Sequence, residues 1–405
     1  MRLPVVPRVL VVAIGFAACG GGQDAPSFVA RDSAGVTIAE SQSPAWADDA
    51  GWRVGEALVR IGVVDGDSRY QFSDVAGTVR LSDGTIVVAD GGSQQLRFFM
   101  PDGRWQASFG GPGGGPGEFT GLSSLGRTPD DQVWAYDFSL RRLTWTDASG
   151  RLLRLVPLDP EPPSLSPLGP LSDGTFAMKQ LWGSKTGKDE PEIGLLREPT
   201  AYVRFDSLGT LVDTLGTFPG RELFITLEKG RGVMSSPLFG RTSAGVVQGH
   251  TLIIGDQEEF RFGRYDPDGT MLTEVRLGRP AALIGPNDVS EHIEFLVESS
   301  PPDKQAWLEQ SLTSMPTPET RPAYGSFLVD RDDFLWVSEW SQFPGIPRTW
   351  TVVDTSDRWL GDVVMPPGFI PRDIGSDWIL GIETDALGVE FVVQYSLVKP
   401  PDVRR

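Results

Sequence analysis

Along most of this chain the apolar residues come in short runs that close on a polar residue, and the runs recur. A turn followed by such a run appears as Gly84-Thr-Ile-Val-Val-Ala-Asp90, Asp131-Gln-Val-Trp-Ala-Tyr-Asp137 and Gly174-Thr-Phe-Ala-Met-Lys-Gln180. It returns as His250-Thr-Leu-Ile-Ile-Gly-Asp256, Asp333-Phe-Leu-Trp-Val-Ser-Glu339 and Asp377-Trp-Ile-Leu-Gly-Ile-Glu383. Short apolar runs bounded by turn residues predict buried β-strands. A second pattern is the tight turn: Met100-Pro-Asp-Gly103, Asp147-Ala-Ser-Gly150, Asp206-Ser-Leu-Gly209, Asp266-Pro-Asp-Gly269 and Asp354-Thr-Ser-Asp357. Each leads into another apolar strand, as a turn between antiparallel neighbours should.

The six runs begin 47, 43, 76, 83 and 44 residues apart. The short intervals match one four-stranded propeller blade, and the long ones must carry insertions. In the first blade the strands are expected at Val75–Arg80, Thr85–Asp90, Gln95–Met100 and Trp105–Phe109. In such a meander the D–A linkers and the B–C turns share one face. The Gly/Pro stretch from Phe109 to Phe119 reads as a linker between blades, because its glycines and prolines cannot continue a ladder. The last blade ends near Leu397 without a fourth strand. Ala57–Gly62 supplies it and closes the ring, with Val36–Ala39 as a further edge strand there. Only Asn287–Met315 keeps helical spacing, after an expected N-cap at Asn287-Asp288, with Pro301-Pro302 dividing it in two. The predicted class is therefore all-β: a six-bladed β-propeller over residues 35–400, closed by an N-terminal outer strand. A small helical insertion at about 287–315 separates blades four and five.

Composition narrows the function. A net charge of −18 disfavours nucleic acid and direct adsorption to anionic membranes. One Cys leaves no disulfide framework and no Cys-based zinc site. That Cys follows a basic start, Arg2 and Arg8, and the apolar run Val9–Ala18, which is short for a membrane span. Residues 19–34 read as a flexible tether.

These residues carry three resemblances. Phe16-Ala17-Ala18-Cys19 resembles the lipobox of bacterial lipoproteins, which implies a signal peptide at 1–18 and lipid on Cys19. It places the protein on the bacterial envelope, with the outer membrane favoured. The stretch Phe109–Phe119, with Asp137 and Arg141-Arg142 beyond it, is similar to an NHL-type repeat. Residues 50–398 resemble a bacterial group of six-bladed β-propeller lipoproteins of largely unassigned function.

The candidate chemistry is a ring of strand-end residues: Asp90, Asp137, Gln180, Asp256, Glu339 and Glu383. Read functionally, it is a binding face for a cation, a basic peptide or a polyol. Read structurally, each acid bonds nearby backbone or a following arginine: Arg97, Arg141 or Arg142, Arg261 or Arg264, and Arg348. Glu383 has no local arginine. Trp182, Trp307 and Trp340 could stack on sugars, and His250 and His292 are expected at the surface. No catalytic residue and no metal ligand is assigned. No cofactor is expected, with calcium the candidate should one exist. The expected role is an envelope-anchored binding or scaffold module, a monomer whose partner is an envelope protein, a peptide or a glycan. The alternative is a lactonase-like hydrolase or lyase using a divalent metal.

Overall fold

In the computed structural model, residues 27–47, 50–181, 193–228, 231–341 and 348–400 are described. The expected signal peptide, Cys19 and Trp182 lie outside them. The described chain opens with β1 (Phe28–Ser33), β2 (Val36–Ser41) and β3 (Arg53–Ile61). None of these forms a sheet of its own.

The next strands fold as meanders in chain order. The first sheet is β4 (Val75–Arg80), β5 (Ile86–Asp90), β6 (Gln95–Phe99) and β7 (Trp105–Gly110). The second is β8 (Leu122–Arg127), β9 (Val133–Asp137), β10 (Arg142–Thr146) and β11 (Leu152–Pro157). The third holds β12 (Leu165–Pro170), β13 (Phe176–Gln180), β14 (Gly194–Phe205), β15 (Leu211–Glu228) and β16 (Arg231–Ser235). The long insertion expected here is thus a hairpin that extends β14 and β15. The fourth holds β17 (Ala244–Gln248), β18 (Thr251–Gly255), β19 (Arg261–Tyr265) and β20 (Met271–Leu277). After α1 (Pro286–Glu298) and α2 (Pro302–Thr313) come β21 (Phe327–Val329), β22 (Leu335–Ser338), β23 (Thr349–Val353) and β24 (Trp359–Val364). The last is β25 (Phe369–Ile374), β26 (Trp378–Thr384) and β27 (Glu390–Val398), with β3 paired antiparallel to β27. Mostly β, in several sheets of four to six strands, the arrangement is consistent with a propeller.

The second strand of a meander is its core. All five residues of β5 and of β9 are buried. Their apolar faces meet the neighbouring sheets. Ile86, Val88 and Phe99 of the first sheet pack with Trp378, Leu380 and Val392 of the last. Each such side chain gains roughly 1.5–3 kcal/mol from burial. The first strands also approach one another: β4 lies beside β8 and β25, and β17 beside β12 and β21.

Three details depart from the sequence reading. β2 does not join the last sheet; it pairs parallel with β20 of the fourth, with Ala39 opposite Val275. Its Ile38, Ala39 and Ser41 are buried there, and Ser41 Oγ accepts from Trp359 N at 3.0 Å. From that point the chain runs along β24, where Ala45 and Trp46 donate to the carbonyls of Trp359 and Leu360, and then reaches β27. Order also begins earlier than residue 35, because β1 falls within the stretch read as a tether. The first helix is capped by Gly285 rather than Asn287: Gly285 N donates to Asp288 Oδ2 at 2.8 Å, with Pro286 in the first turn.

Candidate functional site

The six strand-end residues and a large cavity lie toward opposite ends of the first strands. Register fixes this. Val75 faces Asp90, Leu122 faces Asp137, Leu165 faces Gln180 and Phe369 faces Glu383, all at the start of a first strand. The cavity is lined instead by the ends of those strands, roughly 17–20 Å along the chain direction.

At the strand-start end the carboxylates are held by the fold. Asp90 is 1% exposed; Arg97 Nη2 lies 2.7 Å from its Oδ2, and Ser73 N donates to its Oδ1 at 2.9 Å. Asp137 is 0% exposed and accepts from Thr120 N at 2.7 Å and Leu140 N at 2.8 Å. Both therefore pin the linker that enters the first strand of their own sheet. Arg141 and Arg142 do not pair with Asp137. Arg141 donates to the carbonyls of Asp159 and Pro162, and Arg142 to that of Glu118 at 2.5 Å. Arg142 thereby braces the Gly/Pro linker, whose Gly113 N donates to Phe119 O and whose Gly115 N donates to Glu118 Oε2. Gly110 sits at φ +98°, and a Cβ there would lie 2.7 Å from the Phe119 ring.

The remaining members are placed differently. Gln180 is buried. Asp256 accepts from Glu258 N at 3.1 Å. Glu339 is exposed. Glu383, without a local arginine, pairs with Arg60 of β3 at 2.5 Å and accepts from Tyr395 Oη at 2.7 Å. Burial first, and then Glu383, push the Tyr395 hydroxyl up to about 12. Of the arginines expected to pair across the turn, Arg97 does so. Arg264 pairs with Asp357 at 2.6 Å, and Arg261 lies near Glu259 and Glu274.

His292 is not at the surface. It is 8% exposed and packs edge-on to Phe239 with ring centroids 4.9 Å apart. Burial, then Arg321, push its pKa down to about 4. With Trp340 it lines a small cavity of ≈ 260 Å³ beside the helical insertion. His250 is exposed, its Nδ1 lying 3.1 Å from Ser172 Oγ. Trp307 is 48% exposed. Among the described residues no three His, Cys, Asp or Glu side chains are placed to hold a metal ion.

The large cavity measures ≈ 920 Å³ and takes residues from the first strand of every sheet. It continues between the second and third sheets, where Trp134, Trp145, Arg154 and Phe176 line it. Trp134 and Phe176 meet edge-on at 5.1 Å, and Arg154 lies 4.2 Å over the Trp145 ring. The indole N–H groups of Trp134 and Trp145 are buried with no partner.

Besides Arg154, three arginines line this cavity: Arg127, Arg331 and Arg372. Arg127 pairs with Asp131 at 3.1 Å, and Arg331 with Asp373 at 2.8 Å. Both acids hold further donors, the Ser82 and Arg80 backbone N–H groups respectively. Burial and the nearby Arg331 hold Arg127 below its ordinary pKa, against the pull of Asp373 and Asp131. Arg372 differs from both: among the described residues it makes no hydrogen bond and no ion pair. Its side chain is open to solvent, yet the surrounding protein, and then Arg348, lower its pKa, with Glu390 opposing. A group reached by water but walled by protein is what the floor of a cavity provides.

The backbone aims this residue. The register of β25 against β26 shifts between Pro371 and Asp373, so Arg372 is the extra residue of a bulge. Bulges re-aim side chains out of the pleat. The first strands β4, β8 and β12 carry the same irregularity, at Ala76, Ser123 and Leu168. Sequence reading followed the strand-end acids and passed over Arg372. The available signal was a cation inside the first strand Phe369-Ile-Pro-Arg-Asp-Ile374, whose other residues except Asp373 are apolar.

No family model matches the chain, and no curated protein matches it. Solved structures do. A Bacteroides fragilis protein described as exported is 12% identical, at a TM-score of 0.48, over 90% of this chain and 100% of its own. A streptogramin B lyase is 13% identical, at 0.43, over 87% and 100%. A calcium-binding protein, regucalcin, from Agrobacterium tumefaciens is 13% identical, at 0.41, over 82% and 92%. All three superpose at TM-scores below 0.5, and nothing about the activity of this chain follows from them.

Proposed function

We propose that this chain is a six-bladed β-propeller, closed where β3 completes the last sheet, that serves as a ligand-binding module of the bacterial envelope. Lipid on Cys19 anchors it, and the ligand enters the cavity between the first strands. The observation that carries this reading is the ≈ 920 Å³ cavity shared by the first strands of all six sheets. Its size falls within the range of small-molecule sites. The strand-end ring is the weaker candidate, because Asp90, Asp137 and Glu383 are engaged in internal contacts. That leaves Asp256 and Glu339 for any partner on that face.

The test is a thermal-shift screen of glycans, peptides and small organic acids on the purified chain, repeated on Val247→Trp, which fills the cavity wall. Ligands lost with Val247→Trp but kept by Glu339→Gln support the cavity. Ligands lost only with Glu339→Gln would return the site to the ring. A stoichiometric divalent metal in the same preparation would favour the lactonase-like alternative. Cys19→Ser should abolish labelling by radioactive palmitate, and retained label would remove the anchor.

A further inference from the structure

We propose that the cavity takes an organic oxyanion, a carboxylate or phosphate, whose charged head is held by Arg372 and whose body lies along the walls of Trp134 and Trp145. This rests on the cavity being the ligand site. Three observations converge.

First, the chain carries −18 overall, yet four arginines, Arg127, Arg154, Arg331 and Arg372, line this cavity beside its five aspartates. Second, none of the acids around Arg372 forms an ion pair with it among the described residues, and Glu390, whose charge supports it, accepts from Val75 N at 2.9 Å. Asp373 and Asp131 hold Arg331, Arg127 and backbone N–H groups. Asp206 caps its own turn, and Asp130 bonds Thr128 and Gln132. Asp330 accepts from Phe334 N, Asp332 N and Trp336 Nε1, each at 2.9 Å. Asp333 sits exposed at the rim. Third, the bulge at Arg372 takes it out of the pleat, so its guanidinium is not committed to the sheet. A guanidinium in a cavity without an ion pair among the described residues presents a planar fork to two oxygens of an anion. The aromatic walls suit an apolar or sugar body.

The experiment is calorimetric titration of the full chain in detergent and chloride-free buffer. Benzoate and benzamide form a charged and an uncharged pair, with inorganic phosphate and citrate as further probes. Benzoate should bind and benzamide should not, and Arg372→Gln should weaken benzoate by about tenfold or more, with Arg372→Lys between the two. Arg372→Gln should keep the wild-type melting temperature, since it removes no internal bond, so lost binding would not be lost folding. Phosphate or citrate binding in place of benzoate would keep the anion site and exclude the aromatic body. Equal binding of benzamide, or Arg372→Gln within twofold of wild type, would overturn the anion reading. If Val247→Trp still abolished that binding, the cavity would stand as the ligand site. No binding by any of the four probes, with screen ligands still lost on Val247→Trp, would overturn the oxyanion alone.

Discussion

The two ends of the first strands treat charge in opposite ways. Where these strands begin, Asp90 and Asp137 are enclosed and accept backbone N–H groups of the incoming linker, and Arg97 closes on Asp90. Further along, Arg372 lines the cavity without an ion pair among the described residues, with Glu390 the one carboxylate whose charge supports its own. The same strands and the same repeat thus build a structural clamp at one end and an unpaired cation at the other. The repeated acids serve the fold, while the proposed site rests on a basic residue outside that repeat. The comparison predicts how stability and binding respond to substitution at each end.

The largest effect is expected at Asp90. Asp90→Ala leaves Arg97 buried and unpaired and frees Ser73 N, which should cost about 3–5 kcal/mol. Urea unfolding should show a lower midpoint at an unchanged slope. A loss under about 1 kcal/mol would mean that the clamp is not what holds this end.

A smaller effect, and one that depends on pH, separates the ends further. Burial raises Asp330 at the cavity end to about 6, its bonds to Trp336 and backbone notwithstanding. Below about pH 4 both folded and unfolded chains carry this proton. Between 4 and 6 the unfolded chain loses it while the folded chain keeps it, so stability falls as pH rises, by on the order of 2–3 kcal/mol. Above 6 the slope ends. His292 acts in the opposite sense: its folded pKa near 4 lies below the unfolded value, so stability is lost as pH falls from about 6.5 to 4. The two partly cancel in the wild type. Asp330→Asn, which keeps an acceptor for Trp336 Nε1, should expose the rising His292 slope in urea titrations from pH 4 to 7. An unchanged pH profile would place Asp330 in ordinary solvent.

Much of this fold is legible in the sequence because turn chemistry sets register. The first sheet falls within a residue or two of expectation, since Asp83-Gly84 and Met100–Gly103 fix both hairpins, and Gly103 N returns to Met100 O. The pairing of β3 with β27 is legible from the missing fourth strand of the last repeat. The parallel pairing of β2 with β20 is not, because an edge strand has no turn to fix its partner. Alternation reports which face of a sheet a residue occupies. It is silent on which end of a first strand opens into a cavity, and a bulge has no composition signature in Pro371-Arg372-Asp373. The acids of the ring were visible as a repeat, but their burial was not.

At Glu383 the expected effect is smaller still. Its partner Arg60 is 43% exposed, so Glu383→Gln should change stability by less than about 1 kcal/mol. The sharper readout is Tyr395. Removing the negative charge should bring its ionisation down from about 12 toward the ordinary value near 10, part of the way only, because burial is the larger cause. Ultraviolet difference titration would resolve this against Glu383→Gln/Tyr395→Phe, and an unmoved curve would break the contact.

Arg372 should show the smallest effect on stability of the four. Arg372→Gln removes a charge that surrounding protein and Arg348 both disfavour, and it breaks no hydrogen bond among the described residues. Solvent reaches this side chain, so relief of the repulsion is worth a few tenths of a kcal/mol at most. The unfolding midpoint should stay level or rise slightly, the reverse of Asp90→Ala. The same substitution at the other end of a first strand would then separate the two roles. A carboxylate clamp loses stability when neutralised, and a cation held for a ligand loses only the ligand. A clear destabilisation by Arg372→Gln would show that Arg372 is engaged internally after all, and the contrast between the two ends would fall with it.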